Sequence, residues 1–467
     1  MTLRHRLATI TLSLGSVLSL SPLPAQAGWL SPGPLATSLI ATEGYAYGYP
    51  LVLMAETLAG TTGPARACGF EGQINSFFHV FDIPGPDFRA VVRPNVDTLY
   101  SSAFLDLRDG PQLLDMPAVK GRYVLMALLD AWTNNFAGLG TASHGEQPGH
   151  YLIAGPGWQG QTPAGYTRID APTPLVWIIG RTEVRGPDDV AAVNALQRQY
   201  SLHPLSGVPA VVDDSPCVPR DPSQTPPAIV DALSGPDFFQ RLSTLMAENP
   251  PPAADEPMLR KLAPIGVGPY ATSTVDRLPL RTRLGLDAGR TMAQTVARFG
   301  MAALGRTAAW TPDPTQVPLG DYGTEYLVRY VVAKVGFGAN RNSDAVYQNA
   351  VQDQHFQLLD GAHHYTITFP AGQLPPVTAF WSLTVYDEAG YLTANTLGRY
   401  ALGSANALQA NADGSVTLHL AHDLPAATPA SNWLPVPEGR FQVTVRLYGP
   451  EASVLDGSWT MPGIQRD

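Results

Sequence analysis

The sequence predicts a β-rich α+β protein, two β-sandwich or jelly-roll-like domains joined by a mostly helical segment. Three observations carry that prediction. Short alternating or continuous apolar runs fill residues 75–182 and return from Asp321 onward, set apart by Gly/Pro turns. Glycine and proline number 44 each in 467 residues and are dispersed, which suits many turns and short strands. Between the two strand-rich regions the text changes to helical periodicity broken by proline clusters such as Pro250 to Pro252. The length suits two or three domains, and a hydrophobic share of 45% is enough for sizeable cores.

The first residues read as an export signal rather than as fold. Arg4 and Arg6 form a basic start, Leu7 to Leu20 is apolar, and Ala25-Gln-Ala27 offers small residues at the cleavage spacing. The expected divisions are a signal peptide at 1–27, cleaved after Ala27, an N-terminal helix and first β domain at 28–204, a helical bridge at 205–320 and a second β domain at 321–467. The expected location is periplasmic or secreted. The net charge is −10, and loss of the two arginines brings the mature chain to about −12. No basic stripe is available to neutralise phosphates, so nucleic acid is not an expected partner. No later stretch is long and apolar enough to span a bilayer. Cys68 and Cys217 are the only cysteines; in an oxidising compartment they form one disulfide or remain two buried thiols, and spacing alone does not decide.

In chain order, Leu35 to Leu58 reads as a helix through Leu39, Ile40, Tyr45, Tyr49, Leu51, Met54 and Leu58, with Pro50 predicting a kink or split. Its tyrosines Tyr45, Tyr47 and Tyr49 read as core packing. Ser76 to Phe81 is one apolar stretch. Next comes the densest polar phrase, Arg93-Pro-Asn-Val-Asp-Thr-Leu-Tyr-Ser-Ser102. Pro94 biases Arg93 toward extended backbone, and Leu99 to Leu107 reads as a half-buried strand. Alternation then places Asn95, Asp97 and Leu99 on one face and Val96, Thr98 and Tyr100 on the other. Arg122 to Asp130 and Thr173 to Arg181 are near-continuous apolar strands covered on both faces. Asp188 and Asp189 precede a helix carrying Val190, Val193 and Leu196. Helices follow at 236–246, 257–262 and 287–304. The last third offers strands at Tyr326–Val332, His364–Phe369, Phe380–Tyr386, Ser415–Leu420 and Phe441–Tyr448, with Asp413-Gly414 as a turn signal.

Several phrases then coincide: Arg93-Pro-Asn-Val-Asp-Thr-Leu-Tyr100, Trp132-Thr-Asn134, Trp177-Ile-Ile-Gly-Arg181, Leu374-Pro-Pro-Val-Thr-Ala-Phe-Trp-Ser-Leu-Thr-Val-Tyr-Asp387 and Asn432-Trp-Leu-Pro-Val-Pro437. Together they resemble the paired domain-of-unknown-function families DUF1254 (N-terminal) and DUF1214 (C-terminal). The resemblance implies two β-sandwich-like domains joined by helices and supplies no chemistry. It also implies an acidic-Gly turn after Asp353, where this chain has Gln354-His355-Phe356.

Standard catalytic signatures are missing: no Gly-x-Ser-x-Gly elbow, no His-Glu-x-x-His, no phosphate-cradling Gly-rich loop with Lys. No cofactor is called for, and no metal set stands out. His363 and His364 face opposite sides of a strand, His419 and His422 sit three apart across a strand end, and His79 reads as a core histidine. A nucleophilic triad from Ser143, His144 and Asp130 rests only on closeness along the chain. What remains is a polar cleft between the β domains, lined by Asn95, Asn134, Arg181, Asp387, Asn432 and Trp433. In it Asp97 serves as general base, Tyr100 as acid, and Arg93 or Arg181 stabilises negative charge. That points to an acid/base enzyme on a hydroxylated or carboxylated small molecule. The competing expectation is a non-enzymatic cell-envelope binding or assembly protein, whose polar residues lock the domains together and whose sheet edges leave homo-oligomers open.

Overall fold

The computed structural model describes residues 32–467 apart from 65, 69–70, 90, 209–214, 220, 222–223, 305–309 and 316, with backbone alone for 299–304. The expected signal peptide lies outside the described residues. No described helix is long and apolar enough to cross a membrane.

The first strand-rich region supplies β1 (Phe78–His79), β2 (Thr98–Asp106), β3 (Gln112–Met116), β4 (Val124–Asp130), β5 (Asn135–Gly140), β6 (Gly149–Ala154), β7 (Thr167–Asp170), β8 (Leu175–Glu183) and β9 (Ser201–Pro204). They form two sheets, β1-β2-β8-β4-β5 and β7-β6-β3-β9. Period-2 alternation sends Ala103, Leu105, Met126, Leu128, Val176 and Ile178 from the first sheet against Leu114, Met116, Tyr151 and Ile153 from the second, giving one apolar core. Each such fully buried aliphatic side chain contributes about 1.5–3 kcal/mol.

The second region repeats the architecture with β10 (Ala345–Ala350), β11 (Tyr365–Phe369), β12 (Val377–Asp387), β13 (Ala401–Gly403), β14 (Val416–Ala421), β15 (Trp433–Pro435), β16 (Phe441–Pro450) and β17 (Gln465–Arg466). Its sheets are β10-β16-β12-β13 and β15-β14-β11-β17. Leu383, Val385, Val443, Val445 and Leu447 face Tyr365, Ile367, Phe369, Leu418 and Leu420 across the core. Thus several sheets stand in two separate regions with helices between them, as expected.

The four longest described helices build most of a third layer: α1 (Pro34–Thr62), α2 (Gly235–Glu248), α3 (Leu280–Leu304) and α4 (Tyr326–Val335). Tyr45, Tyr47, Tyr49, Phe238, Phe239, Leu242, Leu286 and Tyr330 share one core with Trp132 from the β4–β5 turn. The three tyrosines of α1 are core residues, each with 0% exposure. Close approach of α1 and α3 needs glycine: a Cβ on Gly289 would sit 2.5 Å from Ala41 Cβ and 2.6 Å from Ser38 O. Cys68 and Cys217 form a disulfide across a sequence separation of 149, and a bridge between Ala67 and Val218 runs beside it.

Four expectations need correction. Helix α1 runs through Pro50 without dividing; packing on the helices around it holds it together. Residues 326–332 are helix α4, not strand. Their β-branched content imitates alternation, but Tyr326, Arg329, Tyr330 and Ala333 fall on one 3.6-residue stripe that packs on the helical core. Strand β2 is buried on both faces rather than one, because a second sandwich covers its outer side. Arg93 is not extended but has φ 51°; its N–H donates to Gly390 O at 2.7 Å and its side chain to Gln442, which outweighs the bias from Pro94.

The two sandwiches meet through the outer faces of their neighbouring sheets. Phe104, Tyr123, Leu125, Ala127, Leu129 and Ile179 pack on Ala345, Phe380 and Tyr448, with Met54 of α1 alongside. The Phe380 and Tyr448 rings stack at 4.2 Å, and Tyr123 meets both.

Candidate functional site: a polar seam between two sandwiches

Beside that apolar contact the seam becomes polar. Strand alternation places Phe380, Ser382, Thr384 and Tyr386 of β12 on the outer face, in register with Tyr448, Arg446, Thr444 and Gln442 of β16. Tyr347 of β10 lies opposite Arg446. The segment before β2 lies against this row. Asn95 is an elbow: its Oδ1 accepts the Asp97 N–H at 2.8 Å, and its Nδ2 donates to Thr98 Oγ1 and, across the seam, to Tyr448 OH at 2.7 Å. Ser382 Oγ donates to Asp97 Oδ2 at 2.5 Å. Tyr386 OH donates to Pro94 O at 2.8 Å. Arg446 donates to Thr384 Oγ1 and Tyr386 OH, both at 2.8 Å, and to Arg93 O at 3.1 Å.

Burial raises the Asp97 carboxyl above its usual range, while the Arg446 charge and the Ser382 bond pull it back. Asp97 is 9% exposed. Burial also raises the phenols of Tyr347, Tyr386 and Tyr448, so all three stay protonated at neutral pH.

The register pairs Tyr100 with Arg181 on β2 and β8. Arg181 is 5% exposed. Its guanidinium lies 5.4 Å from the Tyr100 ring centroid and, among the described residues, donates only to two backbone carbonyls, Ile179 O at 3.4 Å and Gly338 O at 3.2 Å. Its Nε has no partner. Among the described residues no carboxylate comes within ion-pair distance of it. A cavity of about 170 Å³ opens at the Tyr123 end of the seam, lined by Gly138, Gly140, Asp344, Thr378 and Gly449 among others.

Of the residues singled out from sequence, Asn95, Asp97, Tyr100 and Arg181 come together here. Arg93 enters through its backbone carbonyl; its Nε is bonded to Gln442 Oε1 at 2.8 Å. The others lie elsewhere. Asn134 ties the β4–β5 turn to Asp130. Asp387 holds the Tyr391 N–H and faces Arg89 at 3.9 Å on the rim. Asn432 bonds Gln409 and Thr417 within the far sheet of the second sandwich, and Trp433 Nε1 donates to Ala421 O there. Ser382, Tyr386, Arg446, Tyr347 and Tyr448 escaped sequence reasoning. Their polar alternation on β12 and β16 was the available signal.

Ser143, His144 and Asp130 do not assemble into a triad: Ser143 Oγ bonds Gly140 and Tyr151, and neither nitrogen of His144 has a partner among the described residues. His79 is bonded to Ser101 at 2.8 Å. Asp353 caps its own turn, accepting the His355 and Gln357 N–H groups, with Phe356 at φ 62° where a glycine would be unstrained.

Among solved structures, a protein from Vibrio parahaemolyticus has a TM-score of 0.70 at 22% identity, covering 92% of this chain and 100% of its own. An uncharacterized protein from Burkholderia cenocepacia has a TM-score of 0.45 at 13% identity, covering 91% and 88%. The first likeness speaks for the fold alone. No curated protein matches. Two models of proteins of unknown function match in the expected order and leave the helical middle outside both: DUF1254 matches residues 74–204 and DUF1214 matches residues 344–452.

Proposed function

We propose that this chain is an exported protein that handles a small hydroxylated anion in the seam between its sandwiches, and that it performs acid/base chemistry there. The observation that carries the reading is Arg181. A guanidinium withdrawn from water costs several kcal/mol, and a tyrosine face returns only about 0.5–2 kcal/mol of that. A ligand carboxylate supplies the charge that the surrounding protein does not. Burial makes Asp97 a stronger base than an exposed carboxylate. Asp97 takes a proton from the bound molecule, the half-buried Tyr100 returns one, and Arg181 stabilises the negative charge between the two steps. Arg93 has no part in this, its guanidinium being engaged with Gln442.

A second reading has support in Asn95, whose amide is fully bonded, and in the Ser382–Asp97 bond: the seam is then a lock between domains with no turnover. A thermal-shift panel of small hydroxy acids, dicarboxylates, phosphate and sulfate separates the two. The ligand reading expects stabilisation of the native chain by one class and none of Arg181→Met. It expects Asp97→Asn to keep that stabilisation and to lose turnover of the same compound. No response from any anion, or an equal response from Arg181→Met, refutes it.

A further inference from the structure

We propose that His364 and His419 form a two-histidine site for a divalent transition-metal cation on the outer face of the second sandwich. Neither residue belongs to the seam. In β11 and β14 the register pairs Thr366 with His419, so His364, two residues before Thr366, lies diagonally across from His419 on the face turned away from the core. Their rings stack with centroids 5.3 Å apart, and His364 Nε2 lies 3.1 Å from His419 Nδ1. With metal–nitrogen bonds of about 2.0–2.1 Å, that separation subtends about 98° at a shared cation, between the square and tetrahedral values.

The supporting groups fit the same role. His364 Nδ1 lies 2.9 Å from Asp467 Oδ2. A proton held there fixes the tautomer that leaves the Nε2 lone pair facing His419, the carboxylate–histidine–metal arrangement. Thr366 Oγ1 steadies Asp467 from the other side at 3.4 Å. Strand β17 carries Asp467 into position by pairing Arg466 with Tyr365. The nearby cation, Arg466, is turned to His363 instead. Both imidazoles are partly exposed, so water completes the coordination and the site takes zinc, nickel or copper rather than calcium or magnesium. The histidine pair singled out from sequence, His419 with His422, does not meet: His422 Nδ1 faces Val436 O at 3.0 Å.

The test is isothermal titration of the mature, untagged chain with zinc chloride and with nickel chloride at pH 7.5, against calcium chloride. One zinc per chain is expected, with no heat from calcium. His364→Ala and His419→Ala each weaken zinc binding by more than tenfold, roughly the scale that a lost second-shell partner already reaches. Asp467→Asn weakens it about tenfold. His363→Ala leaves it unchanged. Equal melting temperatures of the metal-free variants establish that the folds are intact. No zinc binding at millimolar concentration, or zinc binding that survives His419→Ala, overturns the proposal.

Discussion

Replacing Arg181 with methionine tests whether the seam is built for a ligand or for stability. The side chain is 5% exposed and makes two carbonyl bonds at 3.2 and 3.4 Å, with no ion pair among the described residues. At those lengths the two bonds are weak, together about 1–2 kcal/mol, and the Tyr100 contact at 5.4 Å adds about 0.5–2 kcal/mol. Opposing them is the cost of removing a guanidinium from water, several kcal/mol, and methionine fills a similar volume without it. The balance favours the variant by about 1–3 kcal/mol, or roughly 2–6 °C in melting temperature at about 2 °C per kcal/mol. The assay is urea unfolding followed by circular dichroism, with differential scanning calorimetry in anion-free buffer. A stabilised variant that no longer responds to anions marks a cation retained for binding. Destabilisation by more than about 2 kcal/mol makes Arg181 a structural fastener, and the proposed anion site falls with it.

Four other outcomes are expected. Burial, opposed by bonds from Asn134 and Trp132 and by the Arg329 charge, raises the Asp130 carboxyl from 3.8 to about 6. Its folded pKa exceeds its unfolded one, so the native state binds the extra proton between pH 3.8 and about 6. This group therefore costs about 3 kcal/mol above pH 6 and nothing below pH 4; Asp130→Asn should flatten that part of a stability–pH curve from urea titrations, and an unchanged curve contradicts the assignment. Gly289→Val should destabilise by about 1–3 kcal/mol or more, since the new Cβ meets Ala41 and the Ser38 carbonyl; a silent substitution in calorimetry means that α1 and α3 separate freely. Cys68→Ser should cost up to about 5 kcal/mol by releasing a loop that spans 149 residues in the unfolded chain, read from denaturant midpoints with and without reductant. Ser382→Ala should raise the Asp97 pKa further by removing the donor to its carboxylate; a carboxyl titration by NMR that moves downward is incompatible with that bond.

The two strand-rich regions, the helical stretch between them and the polar phrase at Arg93–Tyr100 are legible in the sequence because each is written locally. Residues two apart face the same way in a strand, so Leu383, Val385, Val443 and Val445 announce a core without any knowledge of its partner. The same local rule fails at residues 326–332, where β-branched residues suit both periods until the packing of Tyr330 and Ala333 chooses the helix. It fails again for Asn134, Asn432 and Trp433, which have the chemistry of a site but are consumed by turns and sheet bonds far from Asp97. Nor can local sequence state that Ser382 is to meet Asp97, 285 positions away, or that His364 will stack on His419. Those encounters follow from strand register and from how two finished sandwiches pack, which depend on surfaces assembled from the whole chain. Local pattern thus settles which residues line each sheet face; the packing of the finished sandwiches settles which faces meet, and with that which buried charge has no counter-ion among the described residues.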